Sequence, residues 1–479
     1  MDEKTSQNRV VVTDEMGEVI RIKSDAEIVK ENQELEDALR PKIPPAPPLP
    51  QPPTLDLDVL AKLKMMQKAK EEVPMEIEQL KDRSLNFGVV GLGAAGSRLA
   101  EVFAEFGYEA CVFNTASQDL QFISLPSSRK VLLPFALGGA GKELDNGRQA
   151  VEQNAELILA KLNEVFNERQ EMLILAVSGA GGTGSGGAES ILGLMNTLQR
   201  PLGVIFVLPM ETEDSLSKHN SVVTLSKLAK LASTDVISTL IISDNSKIEQ
   251  IYPGLSKAEF WNTANHAIVE PLHLFNHLSA QPTKFDSLDP MDFSRVFTCG
   301  DCTVYGVLET SDYMETTKLA EMAMDLEGGL LASGFNLKET RFVGFMITGN
   351  EKTLSRLPNV NISYCSHLIS EVCNSPKIAH GIYQIELPED VVRLYIMLSG
   401  LGLPSSRIDS LQKEAEAQMA IAKEKENTRA EKMSVDYGTN VAGTQATEIH
   451  RLISQKKTGF GKLTATANAG KKIIDHRKR

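Results

Sequence analysis

Ser178-Gly-Ala-Gly-Gly-Thr-Gly-Ser-Gly-Gly187 lies between the apolar run Met172-Leu-Ile-Leu-Ala-Val177 and the segment Ala188-Glu-Ser-Ile-Leu-Gly-Leu-Met195. The first flank reads as a buried strand and the second as a helix. Six of the ten residues are glycine, so the chemistry of the stretch is that of its backbone. Glycines let N–H groups approach a ligand closely and adopt positive φ. At a strand-to-helix turn, those groups and the helix N-terminus form an anion site, most often for phosphate. Thr183 and Ser185 can add hydroxyl donors. A flexible Gly/Ser linker is a poor alternative between a buried strand and an apolar helix. The expected ligand is a nucleotide.

The wider chain suits that reading. Its 479 residues allow about two or three domains. No apolar run approaches the roughly 20 residues that span a bilayer, and the first residues lack a signal-peptide pattern. Five sparse cysteines, an odd number, fit a reducing, cytoplasmic setting. The net charge of −13 argues against wholesale nucleic-acid binding.

Residues 1–83 read as an N-terminal extension, largely disordered. They offer a small hairpin over residues 10–22, a polyproline II spacer over Pro41–Pro53 and an amphipathic helix over 55–81. From residue 84 to 255, strands alternate with helices: Asn86–Val90, a turn over Gly91–Gly96, a helix over Ser97–Phe106, then Glu109–Phe113 and Lys130–Leu133. A long helix over 149–167 precedes the opening unit; Gly203–Leu208, a helix over Ser217–Ala232 and Val236–Ile242 follow. The alternation predicts a doubly wound, mostly parallel α/β sheet, with ligands at the C-terminal ends of the strands. A central helix is expected within 256–285 and a smaller α+β domain over 286–404. Residues 405–479 read as an exposed helix to about Met433 and then a basic tail.

Gly91, Gly93 and Gly96 fit G-x-G-x-x-G, which raises an NAD-dependent oxidoreductase. Its usual acid about 20 residues on is replaced by Asn114-Thr-Ala, and that reading leaves the 178–187 turn without a role. No G-x-x-x-x-G-K-[ST] segment occurs, which excludes ordinary P-loop enzymes. Both turns can instead surround the phosphates of one mononucleotide. Trp261 and Asn265, four apart on the central helix, share a face on which a ring can stack on a purine while an amide pairs with its edge.

Gly181, Gly182, Thr183, Gly184, Ser185 and Gly186, with Ala180, resemble the tubulin/FtsZ signature, and the resemblance continues in order over about residues 86–402. It implies a Rossmann-like nucleotide-binding domain, a central helix, a smaller C-terminal domain and flexible terminal extensions. Gly91, Gly93, Ala94, Ala95, Gly96 and Ser97 then resemble the first phosphate loop, and Asn114 belongs to the second. Gly139, Ala140 and Gly141 resemble the loop that senses the γ-phosphate. Glu213, in Pro209–Glu213, matches the ribose-holding glutamate, and Asn245 matches an asparagine facing the base. Trp261 and Asn265 have the family's guanine-favouring spacing; His266 stands where FtsZ-type members have aspartate.

The resemblance further implies GTP or GDP, with Mg2+ bound alongside, and head-to-tail filaments in which an acidic loop of one subunit completes the GTPase site of the next. Phe285–Phe297 is the matching loop. Its catalytic candidates are Asp292 first and Asp289 second; Arg295 occupies the family's second acid position. Glu270, His273 and His277 have helical spacing that could suit a metal, but with Pro271 among them they read as a polar helix face, and no metal set is assigned. The basic tail 450–479 suits an adaptor protein, DNA or an acidic surface of the next subunit. The expected protein is a divergent polymerising GTPase of plasmid or phage type, serving DNA or phage positioning or segregation. A nucleotide-holding scaffold with little hydrolysis is the alternative.

Overall fold

The computed structural model describes residues 12–13, 19–20, 82–135 and 138–433. The proline-rich stretch, the 55–81 helix and the basic tail lie outside them. The chain divides into two units, Met1–Gln67 and Lys68–Arg479. In the first, β1 (Val12–Thr13) and β2 (Val19–Ile20) pair antiparallel, Val12 opposite Ile20.

The second unit is built on one ten-stranded sheet. Its strands are β3 (Phe87–Leu92), β4 (Glu109–Asn114), β5 (Lys130–Leu132), β6 (Met172–Ser178), β7 (Leu202–Leu208), β8 (Thr239–Asp244), β9 (Cys302–Thr310), β10 (Phe342–Gly349), β11 (Lys377–Gln384) and β12 (Val392–Leu401). Their order across the sheet is β11-β10-β12-β9-β8-β7-β6-β3-β4-β5. From β5 to β9 all neighbours are parallel, and β12 runs antiparallel between β9 and β10. Continuous apolar runs such as Leu202–Leu208, buried along their whole length, are what strands covered on both faces require. The seam between the nucleotide-type half and the C-terminal strands is narrow: β8 and β9 pair in register at Leu240 opposite Cys302 and Ile241 opposite Thr303, with a hydroxyl bond from Thr239 to Thr303 at 3.1 Å. Chain order reverses between β3 and β6, so a crevice opens at the ends of these two strands.

The helices needed here are α1 (Gly93–Glu105), α2 (Ser117–Gln121), α3 (Leu144–Gln153), α4 (Ala155–Val165), α5 (Thr183–Asn196), α6 (Ser215–Ala232), α7 (Asn245–Ile251), α8 (Lys257–Leu278), α9 (Pro290–Phe297), α10 (Thr316–Met324), α11 (Leu326–Gly329), α12 (Glu351–Arg356), α13 (Asn359–Val372) and α14 (Ser405–Met433). Several of them depart from the sequence reading. The first strand runs on through Gly91-Leu92 and α1 begins at Gly93, so two residues of the G-x-G-x-x-G segment are strand and four are helix, rather than a turn.

Asn154 breaks the helix expected over 149–167. Its amide turns back to the Ala150 carbonyl at 2.8 Å and across to Pro134 at 3.1 Å, a local bond that competes with the helix ladder. In the smaller domain, where the sequence suggests one helix over about 314–334, the structure has two, α10 and α11, because Gly329 must lie against β9. A Cβ built on Gly306 would stand 2.0 Å from the Gly329 carbonyl oxygen. The helix expected to be exposed after residue 405 buries its first turns, with Leu411 and Ala415 packed inward along the side facing α6.

The central helix α8 starts where Ser256 and Glu259 form a capping box and continues through Pro271 without interruption. Proline leaves a carbonyl of the preceding turn without its usual donor. In that turn the buried Tyr305 hydroxyl donates to the Ile268 carbonyl at 2.6 Å. Among the described residues no helix is long and apolar enough to cross a membrane.

Candidate nucleotide site

The two Gly-rich segments meet backbone to backbone. Gly93 has φ +75°, and a Cβ there would lie 3.0 Å from the Gly184 amide nitrogen; one on Gly184 would lie 3.0 Å from the Leu92 carbonyl oxygen. Gly96 packs α1 onto β6, its Cβ position only 2.1 Å from the Ala176 carbonyl oxygen. Gly182 faces Ala140 and Lys142, and Gly186 faces the Leu144 carbonyl, so the 139–144 segment is drawn against the same turn. Gly139, Gly141 and Gly181 differ: nothing stands within 4 Å of a Cβ built on any of them. The glycines therefore divide into those that let backbones touch and those that border open space. Neither α1 nor α5 has a side-chain N-cap, which leaves the amides of both first turns directed at the crevice.

The polar side chains mostly hold this frame. Ser97 donates to the Gly93 carbonyl at 2.7 Å inside its own helix. Thr183 shares a 2.7 Å hydrogen bond with Thr115, and the Ser185 hydroxyl donates to the Gly181 carbonyl. Both hydroxyls, expected to donate to a ligand, are thus engaged within the loops. Asn114 accepts from the Ala116 amide and donates to Asp119 at 3.0 Å. Ala94 and Ala95 are half-buried at the start of α1, and Ala140 is buried.

Lys142 bridges the Asp214 carboxylate and the Ser217 hydroxyl, tying the 139–142 segment to the start of α6. Burial opposes ionisation of Asp214, but Lys142 and the Ser217 amide outweigh it and keep its pKa below the usual value. Glu213 accepts from the Met210 amide at 3.1 Å, which curls the 209–213 loop on itself. Asn245 opens α7 directly after its cap, Asp244.

Trp261 is half-buried and edge-on to Phe260, with 5.2 Å between ring centroids. Asn265, one turn further along α8, makes no side-chain hydrogen bond among the described residues. His266 turns elsewhere: Nε2 lies 3.3 Å from Glu105 and Nδ1 2.9 Å from the Asn262 carbonyl. One residue of helix rotation points it at α1, so it is not presented beside Asn265.

The acidic segment stands apart from these residues. Asp289 caps α9, its Oδ1 accepting from the Asp292 amide at 2.8 Å, and Pro290 occupies the first turn. Residues 290–297, read as loop, are therefore helical. Arg295 lies one turn on from Asp292, 3.5 Å from its carboxylate. Tyr383 fixes the approach: its hydroxyl accepts from the Leu288 amide at 2.9 Å and donates to the Leu288 carbonyl at 2.8 Å.

Asn276, near the end of α8, pairs with both backbone groups of Leu85 just before β3, at 2.7 Å each. The phosphate-side turns lie beyond the other end of β3. Between the Trp261 end and the acid end run the 22 residues of α8, about 33 Å of helix. Within one chain the structure brings the predicted nucleotide loops together and keeps Asp289 and Asp292 away from them.

The histidines of α8 are structural in their contacts. His273 stacks on Phe106 at 4.5 Å between centroids, and its Nδ1 lies 3.3 Å from the Tyr108 hydroxyl. Burial, with Arg83 and His277 nearby, holds its pKa well below the ordinary value of about 6.5. A group depressed in this way contributes stability that is present above its unfolded pKa and lost as pH falls toward the folded one. Stability should fall by up to about 1.4 kcal/mol per pH unit below about pH 6.5, and His273→Phe should remove that slope. His266 has the opposite sign. Burial opposes its imidazolium, but Glu105 and the Asn262 carbonyl prevail and raise its pKa, so its contribution is full below about pH 6.5 and lost as pH rises through the folded value. Urea midpoints for His273→Phe and His266→Phe at pH 5.5, 6.5 and 7.5 check the pair of signs.

Arg407 and its partner Asp244 gave no signal in the sequence reading, although they lie directly behind Asn245 and Pro209. The two are 163 residues apart, so no local spacing marks them.

Comparison with known proteins places these features. The model of the Tubulin/FtsZ family, GTPase domain, matches residues 65–253. The tubulin-like protein CetZ of Pyrococcus furiosus is 26% identical over 189 residues, 38% of this chain and 50% of that protein. The chain thus spans about half the length of that relative. The tubulin-like protein TubZ of Bacillus cereus is 24% identical over 364 residues, 69% of this chain and 82% of that protein. A GTPγS-form protofilament of TubZ from Bacillus thuringiensis serovar israelensis has the same fold, with a TM-score of 0.62 at 16% identity over 74% of this chain and 96% of that one. The family model covers the facing Gly-rich turns, and the TubZ likeness extends well beyond them: residues 65–253 form a Tubulin/FtsZ-family GTPase domain, and the chain around it is similar to TubZ.

Proposed function

We propose that the chain binds GTP at the ends of β3 and β6 and assembles head to tail, the acid helix of one copy completing the hydrolytic site of the next. One observation carries this reading: the nucleotide loops and Asp289/Asp292 sit at opposite ends of α8, so only a second copy can bring them together. The phosphates would rest on the open backbone of Gly139, Gly141 and Gly181 and on the first turns of α1 and α5. Glu213 would hold the ribose, with Asn245, Trp261 and Asn265 around the base. When bound, Mg2+ would neutralise phosphate charge, held chiefly by phosphate oxygens and water. Phosphoryl transfer asks the protein mainly for positioning and charge stabilisation, so one well-placed acid suffices. Asp292 has that role, with Asp289 shaping the helix that presents it.

A second reading is favoured by a specific contact. Asp292 is paired with Arg295 and Asp289 is engaged as a cap, an arrangement that suits a filament which holds its nucleotide and turns it over slowly. For cellular use we favour positioning or segregation of DNA, by the TubZ likeness and the basic tail at 450–479, which could reach an adaptor protein or DNA. The nucleotide released by denaturing the purified chain, and pelleting with GTP against GDP, test the main reading. Guanine nucleotide and GTP-dependent pelleting are expected. NAD in place of guanine nucleotide, or chains that never pellet, would overturn it.

A further inference from the structure

We propose that the first turns of α14 clamp the base and ribose side of the nucleotide pocket, with Arg407 as the positioning residue. This rests on the nucleotide reading above and goes beyond it, because α14 lies outside the phosphate loops. Arg407 is buried, and its Nε donates to Asp244 Oδ2 at 2.6 Å. Its Nη2 reaches the Pro209 carbonyl at 3.3 Å and the Ser246 hydroxyl at 3.1 Å. Pro209 opens the loop that carries Glu213; Asp244 and Ser246 flank Asn245. One guanidinium thus ties together the roots of both loops assigned to the sugar and the base, using the fork geometry that lysine lacks.

A second link repeats the pattern. Lys218, 1% exposed, pairs with Glu414 of α14 at 2.8 Å and donates to the Glu211 carbonyl at 2.6 Å. The Glu211 amide in turn donates to Ser246 at 2.9 Å. The 209–213 loop is therefore held through two of its backbone carbonyls by charges whose partners lie on or beside α14. Removing Arg407 would leave Asp244, itself 1% exposed, as a buried carboxylate without its cation. A charge stranded in this way forces rearrangement of the segment that carries it. The clamp borders a cleft of 390 Å³ lined in part by Glu211, Glu327, Phe335 and Arg407. Linkage makes the effect reciprocal: a docked α14 favours nucleotide, and bound nucleotide favours a docked α14.

The test uses the full chain, R407A, R407K, and chains ended after Pro404 or after Met433. Affinity for fluorescent GDP and GTPγS is measured, together with amide exchange over residues 405–418 in the wild type with and without GDP. R407A and the chain ended after Pro404 should bind about tenfold or more weakly, and the chain ended after Met433 like the wild type. R407K, with its charge but not its fork, should fall between R407A and the wild type. GDP should slow exchange over 405–418. A folded R407A binding within twofold of the wild type, or exchange indifferent to GDP, overturns the clamp while leaving the nucleotide reading intact. If R407A does not fold, the wild-type exchange result decides. A wild-type chain that binds no guanine nucleotide overturns both.

Discussion

Asp292→Ala should lower GTP turnover per chain by about a hundredfold or more without weakening nucleotide binding, the loss expected when a positioned acid or base is removed. The two halves of that expectation come from different parts of the molecule. Binding should survive because Asp292 lies at the acid end of α8, away from every residue assigned to the nucleotide. Turnover should collapse because, in the proposed assembly, the acid acts on a neighbour's nucleotide. In the wild type the rate per chain should rise with protein concentration as contacts form, and in the variant it should stay flat. Asp289→Ala is a less clean probe: losing the cap of α9 costs about 1 kcal/mol and disturbs the helix that presents Asp292. Turnover equal to wild type in Asp292→Ala would remove the catalytic assignment. Turnover equally slow and concentration-independent in both proteins would favour the nucleotide-holding scaffold.

Much of this architecture was legible because it is local. A buried strand, a glycine run and an apolar helix are contiguous at 172–195, and repeating the alternation four times is enough to imply a parallel sheet and its ligand edge. The resemblance of successive loops to those of the tubulin/FtsZ family then supplied the proposed phosphate, ribose and base sides. The rest depends on partners distant in sequence. Arg407 sits in a Lys/Glu-rich helix whose composition reads as solvated, and only Asp244 and Pro209, far upstream, give it a buried role. Tyr383 is likewise one apolar residue of a strand until the fold sets its hydroxyl on Leu288. Asp289 was read for its charge and proves also to be a cap, a double use that spacing alone did not separate. The division of the glycines was equally hidden, since a sequence records which positions lack a Cβ and not what that Cβ would meet.

That division yields a paired expectation. Gly96→Ala should destabilise the fold by about 3 kcal/mol, at the upper end for an overpacked interior, and should weaken nucleotide binding with it. The added Cβ would stand 2.1 Å from the Ala176 carbonyl oxygen, a backbone atom of β6 that cannot rotate away. Relief requires α1 to move off β6, and the first turn of α1 carries amides assigned to the phosphates. Gly181→Ala should behave differently. Its Cβ meets nothing within 4 Å and its φ is not positive, so the fold has no reason to resist it. The same methyl would project into the space assigned to phosphate and should weaken binding at unchanged stability. Denaturation midpoints and nucleotide titrations of the two variants separate the roles. Equal midpoints would mean that the contact between α1 and β6 has slack the structure lacks, and undiminished binding by a stable Gly181→Ala would move the phosphates away from that turn.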